Sequence, residues 1–157
     1  MIKKLTFLVA IIMISLSTFA QEQMPLEVGA RQLNFGILGS QSGFPIYVGM
    51  DFSIRESITL GGEVRPAFWG STSFLGLVFN ADYHFNKLMS IPSTYDLYGG
   101  LNLGWDLWFG KNSGSSGIYL GAHIGGRYYW NEVWGVNVEI GGGNNYSGGK
   151  LGLSMKM

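Results

Sequence analysis

An all-β fold is what this sequence predicts: an eight-stranded antiparallel up-and-down transmembrane β-barrel around a polar, side-chain-filled lumen. Three observations carry the prediction. Segments of barrel-spanning length alternate apolar and polar residues with period two. The chain is apolar overall, with mean hydropathy +0.19 and 15% aromatics, yet beyond its first residues it has no apolar run as long as a membrane helix. Finally, on each strand one face is aliphatic through its middle, while the other mixes glycine, amides, acids and bases.

The N-terminus reads MIKKLTFLVAIIMISLSTFAQEQ. Lys3 and Lys4 precede an apolar stretch from Leu5 to Leu16, and Thr18 and Ala20 offer a small-residue cleavage site. Residues 1–20 are therefore expected to be a secretory signal peptide, and 21–157 a single barrel domain. The apolar run is shorter than the roughly 20 residues a membrane anchor needs. With Cys at 0, lipoprotein processing and disulfide staples are both excluded. Zero formal net charge gives no support for nucleic-acid binding.

The first strand runs from about Val28 to Leu38, with Leu33, Phe35 and Ile37 opposing Asn34 and Gly36. After GSQSG, PIYVGMDFSI alternates Ile46, Val48, Met50, Phe52 and Ile54 with Tyr47, Gly49, Asp51 and Ser53. A turn at Arg55-Glu56-Ser57 leads to ITLGGEVRPAFW, where Leu60 and Val64 share the apolar face and Glu63 and Arg65 the polar one. Pro66 removes a ladder donor and implies a strand end or a bulge. Following GSTS, Leu77, Phe79 and Tyr83 oppose Asn80, Asp82 and His84. NKLMSIPSTY contains Pro92 and reads as a connection.

Strand five spans Asp96 to Phe109, with Leu97, Leu101, Leu103, Trp105 and Leu107 against Tyr98, Gly100, Asn102, Gly104 and Asp106. A flexible loop, GKNSGSSG, follows. Strand six spans Ile118 to Trp130 and places Ile124 and Tyr128 against His123 and Arg127. Asn131-Glu132 suits a two-residue hairpin. Strand seven then sets Trp134, Val136, Val138 and Ile140 against Asn137 and Glu139. GGGNNYSGG reads as a loop before strand eight, where Leu151, Leu153, Met155 and Met157 oppose Lys150, Ser154 and Lys156. The even count returns both chain ends to one side.

In a soluble sheet the aliphatic face would point to a core. Here it should face lipid, at Leu60, Val64, Leu77, Phe79, Leu101, Leu103, Ile124, Val136 and Val138. Aromatics near strand ends suit two interfacial belts: Tyr83 and Phe85, Tyr128, Tyr129, Trp130 and Trp134, and at the other end Trp69, Trp108 and Phe109. A soluble lipocalin-like barrel, aliphatic face inward, is the competing fold.

The stretches PIYVGMDFSI, DLYGGLNLGW and YYWNEVWGVNVEIGGG resemble the small eight-stranded outer-membrane β-barrels of Gram-negative cell envelopes, the porin-like OmpA/OmpX-type group. The resemblance covers the mature chain and lies in pattern and turn spacing. It implies an outer-membrane location and contact with outer-membrane lipids or proteins, and specifies no activity. Members commonly end in an aromatic residue, where this chain has Met157.

The polar phase sends Asp51, Glu63, Asp82, Asp106 and Glu139 inward with Arg55, Arg65, Arg127, Lys150, Lys156 and both histidines. A barrel of eight strands is just wide enough for side chains to fill. Glu63, Arg65, Asp106, His123, Arg127 and Glu139 are thus expected to form a polar network, centred on Glu63, Arg65, His123 and Glu139. An ion or proton path is the alternative use of these groups. A lipid-A hydrolase would need a histidine base beside a serine on the lipid-exposed wall, whereas His84, His123 and Ser154 all take the inward phase. A metal held by Asp82, His84 and His123 lacks a clustered ligand motif. No GxGxxG or GKS/GKT phosphate loop occurs. The sequence therefore points to a non-enzymatic protein without cofactor or metal, acting in a structural or accessory envelope role alone or within a larger complex. A narrow channel and a lipid-modifying enzyme are the competing functions.

Overall fold

The computed structural model describes residues 24–40, 45–110, 115–144 and 147–157. The signal peptide inferred for residues 1–20, parts of the GSQSG and GKNSGSSG loops and the Trp69 side chain lie outside this set. Eight strands form the wall: β1 (Arg31–Ser40), β2 (Ile46–Arg55), β3 (Ile58–Trp69), β4 (Thr72–His84), β5 (Tyr95–Gly110), β6 (Gly117–Tyr129), β7 (Trp134–Gly143) and β8 (Ser147–Lys156). One helical turn, α1 (Asn86–Met89), interrupts the series between β4 and β5. Each strand pairs antiparallel with its sequence neighbours, and β1 pairs with β8 from Gln32↔Lys156 to Ser40↔Gly148, closing the barrel. Closure leaves no unpaired sheet edge. Among the described residues no helix is long and apolar enough to cross a membrane.

The alternation sorts the two faces. Outward positions are exposed and aliphatic or aromatic: Phe79 is 69% exposed, Leu101 68% and Ile140 63%. Inward positions are polar and buried, including Gln32, Asp51, Thr59, Asp82, Asp96, Arg127 and Ser154. This is the reverse of a lipocalin-like barrel, whose aliphatic side chains line the bore. Leu60, Val64, Leu77, Leu103, Ile124 and Val138 are likewise exposed on the outer wall, and Val136 there is half-buried.

Several local features differ from the sequence reading. β1 begins at Arg31 because Gly29 takes φ +90° and its N–H donates to Ser53 O, while Ala30 N–H donates to Glu27 O; Val28 thus lies in a turn. The β6–β7 hairpin has three residues between Trp130 and Trp134, not two. Asn131 Oδ1 accepts from the N–H groups of Val133 and Trp134, and Trp130 N–H donates to Trp134 O. Most of GGGNNYSGG is ladder rather than loop: Gly141 pairs with Gly148 and Gly142 with Ser147, and β6 lies alongside with His123 opposite Gly141. Pro66 sits at no bulge. The β3–β4 register runs unbroken through Pro66↔Leu75, and β2 pairs with β3 only as far as Val64, so the proline lies beyond that ladder.

The β4–β5 connection is ordered by one buried amide. Asn86 Nδ2 donates to Tyr95 O at 2.6 Å and to Ile91 O at 3.3 Å, and Leu97 N–H donates to Asn86 Oδ1. Ser90 closes α1 in the left-handed region at φ 53°. Outside the wall Lys87 pairs with Glu56 at 2.6 Å, and that hydrogen bond, with the lysine's charge, holds the Glu56 carboxyl below its usual range.

Candidate functional site: the lumen network

Inward tyrosines give the lumen its shape, and each stands opposite a glycine. Tyr47 faces Gly36, Tyr98 faces Gly125, Tyr119 faces Gly104 and Tyr129 faces Gly135, all four rings being buried. A methyl at Gly125 would lie 2.4 Å from the Tyr98 ring, and one at Gly152 2.3 Å from the Tyr47 hydroxyl. Glycine on the polar face therefore provides the volume that large neighbours fill. Gly61 and Gly100 serve acids the same way: added methyls would sit 2.3 Å from Asp51 Oδ1 and 2.1 Å from Asp82 Oδ1.

The charges form one connected chain through the bore. Arg65 Nε pairs with Glu63 Oε1, on the same face of β3. Lys150 of β8 lies 2.8 Å from both Glu63 Oε2 and Glu139 Oε1. Glu139 accepts from the Tyr98 hydroxyl at 3.3 Å and lies 3.9 Å from His123 Nε2. His123 Nε2 is 2.9 Å from Asp82 Oδ1, and its Nδ1 is 3.0 Å from Asn102 Nδ2. Asn80 Nδ2 bridges Asp82 and Asp51, each at 3.2 Å. Arg127 then joins Asp51 at 2.9 Å to Asp96 at 2.8 Å, its guanidinium 4.0 Å from the Tyr98 ring centre. Asp96 Oδ1 meets His84 Nδ1 at 2.7 Å, and His84 Nε2 meets Thr59 Oγ1 at 3.0 Å.

A second, uncharged branch runs along β1. Tyr129 donates to Gln32, Gln32 to Asn34 at 2.9 Å, and Asn34 Nδ2 to Asp51 at 2.8 Å. Ser154 donates to Asn34 at 2.7 Å, Asn137 to Ser154 at 2.9 Å, and Tyr47 to Asn137 at 2.6 Å. The low-dielectric interior makes such a network strongly stabilising only when its members are partnered. The space left at its centre is a cavity of about 20 Å³, room for a water molecule rather than an open passage.

Of the six residues singled out in the sequence, Glu63, Arg65, His123, Arg127 and Glu139 fall on this chain, and Asp106 is buried further along β5, opposite Gly76 and Gly117. Arg55 is not in the lumen. The register shift between Ser53 and Arg55 breaks the alternation, and Arg55 is exposed at the turn. Asp96 takes an inward place that sequence reasoning missed, although Leu97 on the apolar face already implied it. Asn34, Thr59 and Asn80 follow the same polar phase and join the network through their side chains.

Among the aromatics, Tyr83 and Phe85 pack at 5.2 Å at one end of the outer wall, and Trp130 and Phe109 are exposed near strand ends. Trp134 stacks edge-on against Phe35 at 6.4 Å. Two belt positions are corrected: Tyr129 points inward to Gln32, and Trp108 shares the inward phase and packs on Phe74 at 4.8 Å at the mouth far from the chain ends.

Thr59, His84 and Asp96 line up hydroxyl, imidazole and carboxylate as hydrolases do. Thr59, however, is only 1% exposed, its hydroxyl buried behind the wall. Among the described residues no group of three His, Asp or Glu is arranged to hold a metal ion.

Neither a family model nor a curated protein matches the sequence. Solved structures do match. The outer membrane protein OprG from Pseudomonas aeruginosa is similar with TM-score 0.64 at 10% identity, covering 84% of this chain and 97% of that one. The N-terminal β-barrel domain of Pseudomonas aeruginosa OprF gives TM-score 0.62 at 13% identity, covering 82% and 98%. A de novo designed transmembrane β-barrel gives 0.61 at 14% identity, covering 83% and 98%. At such identities the shared property is the architecture: this chain is an eight-stranded antiparallel closed barrel with the fold of the OmpA/OmpX-type outer-membrane proteins.

Proposed function

We propose that this protein is an integral outer-membrane barrel, exported through cleavage of residues 1–20, that serves a non-enzymatic structural or accessory role in the cell envelope, alone or as a subunit of a larger outer-membrane complex. The observation that carries this reading is the inversion of the two faces. Apolar side chains encircle the outside, while the charged groups of the bore pair with one another. A water-soluble protein rarely exposes so continuous an apolar surface, whereas lipid solvates Leu60, Val64, Leu77, Phe79, Leu101, Leu103, Ile124, Val136 and Val138 without cost. The same pairing argues against a channel, since an ion would have to displace a buried guanidinium or ammonium from two carboxylates.

Native electrophoresis of gently solubilised outer membranes, with mass spectrometry of the band containing this chain, tests the proposal. The expected result is recovery in the outer-membrane fraction, either as a monomer with detergent or with reproducible companions that name the complex. Recovery in the soluble periplasmic fraction overturns it. Conductance steps above the lipid baseline in planar bilayers overturn the sealed, non-conducting role.

A further inference from the structure

The apolar band on the outer wall is not equally tall all round the barrel. On β5 every outward position from Tyr95 to Phe109 is aromatic, aliphatic or glycine. At about 2.5 Å of height per residue of a tilted strand, that face rises about 35 Å. On β7 the outward apolar side chains run only from Trp134 to Ile140, about 15 Å by the same measure. Past Ile140 on β7, Leu151 on β8 and Ile37 on β1, the outer face of the ladder carries only Gly142, Gly149, Ser147 and Gly39. A lipid-facing band is ordinarily about 25 Å tall, so β5 exceeds it and β7 falls well short.

Both faces rise from one level. The ladder line that leaves Arg31 at the chain-end rim of β1 passes Leu60 and Leu101 and reaches Ser147 at the far rim of β8. Ladder partners therefore climb from strand to strand, as strand tilt requires. Tyr95 pairs with Tyr128 and Tyr128 with Val136; once the climb is removed, Trp134 is the β7 residue level with Tyr95. The difference in height thus falls at the far end.

A polar side chain marks where the short face stops. Asn144, exposed just past β7, donates from Nδ2 to Ile118 O at 2.8 Å and accepts from Leu120 N–H at 2.9 Å. Ile118 and Leu120 pair in turn with Trp105 and Leu103, which lie below the top of the β5 face. An exposed carboxamide belongs in water or among headgroups, not in hydrocarbon.

We infer that the barrel thins the bilayer locally along β7, β8 and β1, an inference that rests on the membrane reading above. The partner of this face is lipid itself. Where the apolar surface is shorter than the hydrocarbon, headgroups are drawn toward the midplane; otherwise the Asn144 amide would sit among acyl chains. Tilting the whole barrel would level the two tops only by dragging one side of the aromatic base out of its interface. The consequence for an accessory role is a thin seam beside the barrel, across which polar groups meet a shorter hydrocarbon path.

Spin labelling tests this, since with Cys at 0 a single introduced cysteine carries the label at one defined place. Leu103→Cys and Gly142→Cys put labels on the outer faces of β5 and β7, equally far along their strands from Tyr95 and Trp134. In dimyristoylphosphatidylcholine vesicles, collision with oxygen reports hydrocarbon and collision with a nickel chelate reports polar surroundings. The expected result is an oxygen-to-nickel ratio several-fold higher at Leu103 than at Gly142, with equal depths for labels at Tyr95→Cys and Trp134→Cys. Ser147→Cys, at the exposed partner of Gly142, replaces Gly142→Cys where that variant fails to fold. An oxygen-dominated label at Gly142 overturns the inference. So do unequal base depths, which mean tilt, and a Gly142 label that meets neither reagent, which means a second copy covers the face. A nickel-dominated label at Leu103 instead overturns the membrane reading itself.

Discussion

Across the bore, Arg127 of β6 and Asp51 of β2 meet at 2.9 Å, joining strands that share no ladder. The same guanidinium holds Asp96 of β5 at 2.8 Å. Removing it leaves two buried carboxylates without their cation. Arg127→Met is therefore expected to destabilise the folded barrel by about 3–5 kcal/mol, the usual cost of stranding a buried charge. Urea unfolding in detergent or lipid measures it. Adding Asp51→Asn and Asp96→Asn to the same variant should recover much of the loss; equal stability of the single and triple variants would show that the charges are not coupled.

On the outer wall the expected behaviour depends on depth. Leu101 lies mid-strand on β5, opposite Ala81 and Ala122, and is 68% exposed. Leu101→Arg places a charge near the bilayer centre and should cost about 2–4 kcal/mol. Leu88 on α1 is 71% exposed but sits in the connection beyond the wall. Leu88→Arg should change stability by less than about 1 kcal/mol. Folding titrations into lipid vesicles compare the two, and equal effects would mean that the apolar band does not meet lipid.

Tyrosine–glycine pairing makes a prediction about volume. Gly125→Ala drives a methyl to within 2.4 Å of the fully buried Tyr98 ring, so the ring or the wall must shift. The expected cost is about 1–3 kcal/mol, partly relieved by Tyr98→Leu in the same chain. Gly117→Ala is the control: nothing lies within 4 Å of its added methyl, and stability should hold. Thermal unfolding followed by electrophoretic mobility separates these outcomes.

Much of this was legible in the sequence because a strand's side chains alternate strictly, so one secure residue sets the facing of all the others. Val48 and Asp51 in β2, or Leu103 and Asp106 in β5, suffice to assign whole strands. What escaped was whatever breaks the period or depends on closure. The bulge after Ser53 turned Arg55 out of the lumen. Gly141 and Gly148 look like loop residues by composition, yet they pair in the ladder, where Gly141 leaves room for His123. Partner choice across the bore, such as Lys150 between Glu63 and Glu139, depends on the stagger of strands far apart in sequence, which no local pattern encodes.

The hydroxyl, imidazole and carboxylate of Thr59, His84 and Asp96 allow the non-enzymatic assignment to be tested at its most exposed point. Their spacings, 3.0 and 2.7 Å, are those of an activated nucleophile. Activation needs access, and Thr59 and His84 are 1% and 3% exposed behind the wall. Treatment of the folded protein with a fluorophosphonate, followed by peptide mass spectrometry, should therefore leave Thr59 unmodified. Thr59→Val should act on stability alone: it strands His84 Nε2, at a cost of about 1–3 kcal/mol. An adduct at Thr59 would overturn the structural role, because it would require the barrel to open and present the triad to a substrate.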